Sequence, residues 1–263
     1  MEPTHLSLRR EGPLAYVTLA RPAVRNAFNA ALIAELHAAF DTLGSDGGVR
    51  AIVLAGEGKT FCGGADVQWM RAALDLSREE NMEDARRMSR MFRALDRCSK
   101  PVVARVQGAA LGGGAGLIAC CDVVVAARDA LFGFTETKLG ILPAVISPFV
   151  LAKIGAGHAR ALALTGERFG AERALAIGLV HDVVADEAAL DAAVERVIRE
   201  LLTASPTGIA ATKRLFSQVG AAAYDDTLEL TAEAIAAQRT SPEGQDGLRA
   251  FLEKRAPAWA QPA

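Results

Sequence analysis

One arrangement constrains this chain more than any other, and it occurs twice: an apolar, β-branched run followed at once by a glycine-rich turn. Val49–Ala55 leads into Gly56-Glu57-Gly58-Lys59-Thr60-Phe61-Cys62-Gly63-Gly64-Ala65-Asp66. Val102–Val106 leads into Gly108-Ala109-Ala110-Leu111-Gly112-Gly113-Gly114-Ala115-Gly116. Runs of this kind read as strands buried on both faces, the sort found in sheets covered by helices. Glycines placed directly after such a strand let a helix pack closely on it, or leave backbone N–H groups free at the helix start. Two such turns in one chain favour the second use. Main-chain donors backed by a helix dipole can hold a developing negative charge.

Better-known glycine motifs do not fit. Gly58-Lys59-Thr60 imitates the end of a phosphate-binding P-loop, but Val53 stands where its first glycine belongs, and Gly63-Gly64 interrupts the helix that should follow. A dinucleotide fingerprint fails at the second turn, because Ala110 and Leu117 occupy glycine positions. No Gly-x-Ser-x-Gly elbow is present, which disfavours a serine hydrolase.

The flanking pattern places the two turns in an α/β chain. His5–Arg9 and Leu14–Ala20, separated by Glu11-Gly12-Pro13, predict a hairpin. Asn29 predicts the cap of a helix with Leu32, Ile33, Leu36, Phe40 and Leu43 on one face. Ser77-x-x-Glu80 predicts a capping box, opening a helix with Ala85, Met88, Phe92 and Leu95 inward and Pro101 after its end. A short helix should follow the glycines at 112–114, then strands Val123–Ala126 and Leu131–Phe134. Helices dominate from about residue 145, with Pro206 and Ser241-Pro242 opening two of them. Alternating strands and helices with a helical end predict a core over residues 1–200 and a helical region over 201–263.

Composition closes off other classes. The 263 residues are 51% hydrophobic and 23% charged, enough for one large core. Net charge is −2 with no basic block, so no nucleic-acid partner is expected. Cys120, Cys121 and Asp122 break the longest apolar stretch, so no membrane span is expected either. The start, Met1-Glu2-Pro3-Thr4, lacks a basic and an apolar leader region, which makes a cytoplasmic location the expectation. Cys62, Cys98, Cys120 and Cys121 read as small buried hydrophobes. His5, His37, His158 and His181 have no ligand spacing, so no metal site is expected. Asp66 reads as a helix N-cap and Asp122 as a structural partner at an element end. Trp69 and Met70 suit either a channel wall or the core.

Arg21-Pro22 with Asn26-Ala27-Phe28-Asn29, Phe61-Cys62-Gly63-Gly64-Ala65-Asp66, Gly112-Gly113-Gly114, and Phe132-Gly133 followed by Glu136 together resemble the crotonase superfamily, the enoyl-CoA hydratase/isomerase family. The similarity runs over nearly the whole chain, to Glu243-Gly244 and Phe251-Leu252-Glu253-Lys254-Arg255. It implies a spiral of ββα turns with a C-terminal helical trimerisation region, giving a homotrimer or a dimer of trimers. It implies a CoA thioester as substrate and no permanently bound cofactor. By the same resemblance, the N–H groups of Ala65 and Gly113 would be the oxyanion donors and Glu136 the general acid/base. Arg25, Asn26, Ala27, Gly63, Ala65, Asp66 and Val67 would flank the CoA, and Phe251 and Lys254 would reach a neighbouring subunit's CoA. Two rigid donors suit a thioester enolate, and losing one such donor costs ~10²–10³ in rate.

The chain departs from the family pattern at two points. The position two after Gly114, where a first glutamate belongs, is Gly116, leaving Glu136 as the single carboxylate. The segment Leu142-Pro143-Ala144-Val145-Ile146-Ser147-Pro148 puts bulky residues where the family has a glycine-rich turn. Both segments resemble bacterial hydratases of branched-chain acyl-CoA breakdown, such as methylglutaconyl-CoA hydratases. The expected activity is hydration of an α,β-unsaturated acyl-CoA, which could be branched or carboxylated. The alternatives are a double-bond isomerase with Glu136 as sole base, and a non-catalytic acyl-CoA-binding member.

Overall fold

The structure, a computed structural model, describes residues 3–260, so Met1 and Glu2 of the N-terminal reading and residues 261–263 of the expected helical region lie outside it. The chain winds in successive turns, each giving a strand to a large sheet, then an extended stretch to a smaller one, then a helix. The first turn holds β1 (Leu6–Glu11), β2 (Leu14–Leu19) and α1 (Ala30–Ser45). The second holds β3 (Ala51–Gly56), α2 (Val67–Ala72) and α3 (Arg78–Asp96). The third holds β4 (Val102–Val106), β5 (Ala109–Leu111) and α4 (Gly113–Cys120). The fourth holds β6 (Val123–Ala127), β7 (Leu131–Gly133) and α5 (Ser147–Thr165). Next come β8 (Arg168–Gly170), α6 (Ala171–Ala176), β9 (Asp182–Val184) and α7 (Leu190–Thr203), then α8 (Pro206–Ala221), α9 (Thr227–Thr240) and α10 (Pro242–Glu253).

The large sheet runs β1-β2-β3-β4-β6-β9, parallel throughout except for the β1–β2 hairpin. The small sheet is β5-β7-β8. Isolated parallel bridges, Cys62 with Ala110 and Phe28 with Ala65, carry the small-sheet pairing into the first two turns. Alternation on β3 sends Ile52 and Leu54 into the main core, while Ala51 and Val53 pack under α7 against Leu190, Ala193 and Val194. This double covering explains the nearly unbroken apolar strands.

Local chemistry sets the helix starts as the sequence predicts. Asn29 Oδ1 accepts the Leu32 N–H at 2.8 Å, and Ser77 with Glu80 closes a capping box. Asp122 accepts the Val102 N–H at 2.7 Å and Lys213 Nζ at 2.6 Å, so it fastens α8 to the core as well as closing an element end. All four cysteines are buried and free, and burial pushes the thiols of Cys62 and Cys121 up to about 12. Two expectations are corrected. Ala85 is exposed on α3, whose buried residues are Met91, Phe92 and Leu95. The stretch after residue 145 is not helix alone, because β8 and β9 extend the two sheets there.

Candidate active site

The small-sheet ladder aims backbone groups at one place. The Phe28 N–H donates to Gly64 O at 2.8 Å, and the Asp66 N–H donates to Phe28 O at 2.9 Å. In a parallel bridge the residue between those two bonds turns its own N–H to the opposite side. That residue is Ala65, and its N–H has no acceptor among the described residues. One step along, the Cys62 N–H donates to Ala109 O (2.9 Å), the Leu111 N–H to Cys62 O (3.0 Å) and the Gly112 N–H to Gly133 O (2.8 Å).

Gly112 then turns the chain through a positive φ of 51°, and α4 begins at Gly113. The first N–H groups of a helix have no intrahelical acceptor, and the Gly113 N–H finds none elsewhere among the described residues. The two glycine turns abut closely. A methyl group placed on Gly114 would lie 2.6 Å from Cys62 O, and one on Gly64 would lie 3.1 Å from Leu111 O.

Glu136 opens a 3-10 turn, Glu136–Leu139, just beyond β7. Its Oε1 would lie 3.3 Å from a methyl group on Gly112, so the carboxyl stands over the residue preceding Gly113. Its Oε2 is buried and has no hydrogen-bond partner among the described residues. Burial raises the carboxyl above its ordinary pKa, only partly offset by a backbone hydrogen bond within Glu136. The folded protein therefore binds this proton more tightly than the unfolded chain does. Its contribution to stability falls as pH rises from the ordinary glutamate range through the raised value. If Glu136 acts as the base, kcat/KM should rise with pH along an acid limb lying above the ordinary glutamate pKa of 4.5. A pH–rate series checks this, and a limb unchanged in Glu136→Gln would remove Glu136 from the role.

Gly116 and Ile146, separate oddities in the sequence, are one feature in space. A methyl group on Gly116 would come within 2.9 Å of Ile146 Cβ, closer still to an Ile146 methyl, and within 3.1 Å of Phe92 Cε1. Ile146 is buried, and it occupies the room into which a side chain at 116 would extend. Phe92 stacks with Phe28 and Phe149 at centroid distances of 6.1 and 5.8 Å, so the lining on this side is apolar. Trp69 packs partly buried against the same core, and Met70 is half-buried.

The remaining residues expected at a CoA surface divide into braces and exposed groups. Asn26 is fully buried at a positive φ of 54°. Its side chain accepts the Arg21 N–H (2.9 Å) and donates to Glu57 O (2.9 Å) and Thr60 O (2.7 Å). Ala27 is also buried, and its carbonyl accepts from the Arg21 guanidinium. Asp66 caps α2 through the Gln68 N–H (2.8 Å), and the Arg21 hydrogen bond holds its carboxyl below the usual carboxylate range. Arg21, a letter of the Arg21-Pro22 motif, pairs with Asp66 at 2.8 Å, a contact no local pattern announces. Arg25 and Val67 are exposed, with Arg25 O accepting the Gly63 N–H at 2.8 Å. Phe251 and Lys254 are exposed at the end of α10. Among the described residues no His/Cys/Asp/Glu group suits a metal ion, and no helix is long and apolar enough to cross a membrane.

Comparison with known proteins places this architecture. A family model described as enoyl-CoA hydratase/isomerase matches residues 9–262. The crystal structure of an enoyl-CoA hydratase from Shewanella pealeana superposes with a TM-score of 0.94 at 40% identity, covering 98% of this chain and 97% of that one. The short-chain-enoyl-CoA hydratase of Clostridium acetobutylicum is 32% identical over 97% of each chain. The 2,3-dehydroadipyl-CoA hydratase of Escherichia coli is 32% identical over 97% of this chain and 98% of its own. The fold is thus that of the crotonase class of enzymes. More particularly, the chain belongs to the enoyl-CoA hydratase/isomerase family, whose substrates are CoA thioesters.

Proposed function

We propose that the protein adds water across the double bond of an α,β-unsaturated acyl-CoA. The N–H groups of Ala65 and Gly113 hold the thioester oxygen, and Glu136 is the general acid/base. The observation that carries this reading is the half-buried Glu136 carboxyl, with its buried Oε2 unpartnered among the described residues, standing over Gly112 beside the free Gly113 N–H. Glu136 takes a proton from water as the water oxygen bonds to Cβ. The enolate charge collects on the thioester oxygen between the two amides. The same carboxyl then returns the proton to Cα.

The CoA arm lies along the exposed Arg25 and Val67 and the half-buried Gly63, which Asn26, Ala27 and Asp66 support from within. The helices α8, α9 and α10 form a trimer interface, or that of a dimer of trimers, through exposed apolar residues such as Phe216, Leu228 and Leu252. Phe251 and Lys254 meet a neighbouring subunit's CoA. Branched or carboxylated enoyl groups, methylglutaconyl-CoA among them, are the favoured substrates. The dicarboxylic acyl group in the Escherichia coli relative's name supports this range.

Ile146 in the space beside Gly116 favours a second reading, double-bond isomerisation, in which Glu136 alone carries a proton between two carbons. Labelled water separates the two. Loss of the conjugated thioester absorbance of crotonyl-CoA or methylglutaconyl-CoA, with solvent ¹⁸O in the product, supports hydration. A 3-enoyl-CoA converted without oxygen uptake, with both of those compounds left untouched, moves the assignment to isomerisation.

A further inference from the structure

We propose that Phe28 is the positioning residue that holds the two main-chain donors in register with each other. This rests on the reading of Ala65 and Gly113 as oxyanion donors. Phe28 lies in neither glycine turn, yet it touches both. Its backbone bonds Gly64 O and the Asp66 N–H, the residues on either side of Ala65, and so fixes the direction of the Ala65 N–H. Its ring supports the other donor. A methyl group on Gly113 would lie 2.9 Å from Phe28 Cε2 and 3.0 Å from Cδ2, so the ring edge bears directly on Gly113.

Phe28 is itself held firmly. It has no exposed surface, and its ring packs on Phe92 at a tilt of 58°. Asn26 is pinned two residues before it, and Asn29 caps α1 immediately after it. Removing the ring leaves the Ala65 clamp in place, because that clamp is backbone, and takes the support from Gly113. The spacing of the donors changes while every exposed group beside the CoA path stays as it was.

Two variants test this, Phe28→Leu and Phe28→Met, read wherever the far-UV circular dichroism is native. Since a misplacement of about 1 Å can cost ~10²-fold, kcat should fall by about 10–100-fold with KM held within about threefold. A 4-dimethylaminocinnamoyl-CoA ester, whose electron-donating amino group deactivates the double bond toward water, reports the donors, because donors on the thioester oxygen shift its absorbance to the red. The shift should be present in the wild type and diminished in both variants. Leu36→Ala, a fully buried α1 residue, serves as the structural control and should lower the melting temperature while leaving kcat and the shift intact. Equal kcat and equal red shift in the Phe28 variants would overturn the proposal. So would a Leu36→Ala variant that loses both to the same degree. A wild type that shows no red shift on binding the ester would instead overturn the oxyanion reading itself.

Discussion

Glu136→Gln is expected to lower kcat/KM by about 10²–10⁴ on whichever enoyl-CoA the protein turns over, with KM little changed. Glutamine keeps the volume and can still donate a hydrogen bond, but it cannot accept and return a proton. On the proposed reading Glu136 works alone, since Gly116 stands where the family pattern has a second carboxylate. The loss should be accompanied by a gain. The wild-type carboxyl is buried with Oε2 unpartnered, so its ionised form is disfavoured in the folded protein. At neutral pH the neutral amide relieves that penalty, and the variant should melt at or above the wild-type temperature. The difference should shrink as pH falls to the ordinary glutamate range, where the wild-type carboxyl is protonated in both states. Steady-state kinetics and melting curves across pH measure both effects. Retention of most of the activity would end the case for Glu136 as the acid/base.

The second large effect concerns an apparent repair. Gly116→Glu puts a carboxylate where the family pattern has one, yet it should destabilise the protein by about 3 kcal/mol or more. Overpacking alone costs ~1–3 kcal/mol, and an unpaired buried carboxylate adds to that. For a domain of this size the melting temperature should drop by roughly 6–12 °C. The obstacle is specific, since the new side chain must pass Ile146 Cβ within 2.9 Å and Phe92 within 3.1 Å. Pairing it with Ile146→Ala should therefore be less harmful than the sum of the two single changes, by about 1 kcal/mol or more. Melting curves for the wild type, both single variants and the double variant supply the cycle. Strict additivity would show that Ile146 and position 116 do not share one space.

Much of the fold is legible in the sequence because its signals are local. The Asn29 cap, the Ser77–Glu80 box and the hairpin each depend on residues within a few positions of one another. The strands β5, β8 and β9 (Ala-Ala-Leu, Arg-Phe-Gly and Asp-Val-Val) are not legible, because each has only three residues and lacks a flanked run such as Leu131–Phe134, which marks the equally short β7. Helical spacing points Ala85 inward with Met88, but the packed face of α3 begins only with the half-buried Met88 and the buried Met91. Within the candidate site, the glycine turns were visible as backbone features, and Glu136 emerged only through resemblance. The groups that hold the turns in place were not legible. Arg21 meets Asp66 across 45 positions, and no local pattern announces that pairing. The Gly113–Phe28 and Gly116–Ile146 contacts join different turns of the spiral in the same way.

The parallel bridge between Phe28 and Ala65 has a consequence for how a chain like this can diverge. The amides it aims are carried by every residue type except proline, so point substitution can rarely delete them. What mutation can reach is the bearing beneath them and the few side chains beside them: Phe28, Glu136, Gly116 and Ile146. Inheritance thus divides unevenly across the site. On the proposed reading, the means of gripping a carbonyl is written into the path of the chain and survives drift, while the reaction performed there hangs on single letters.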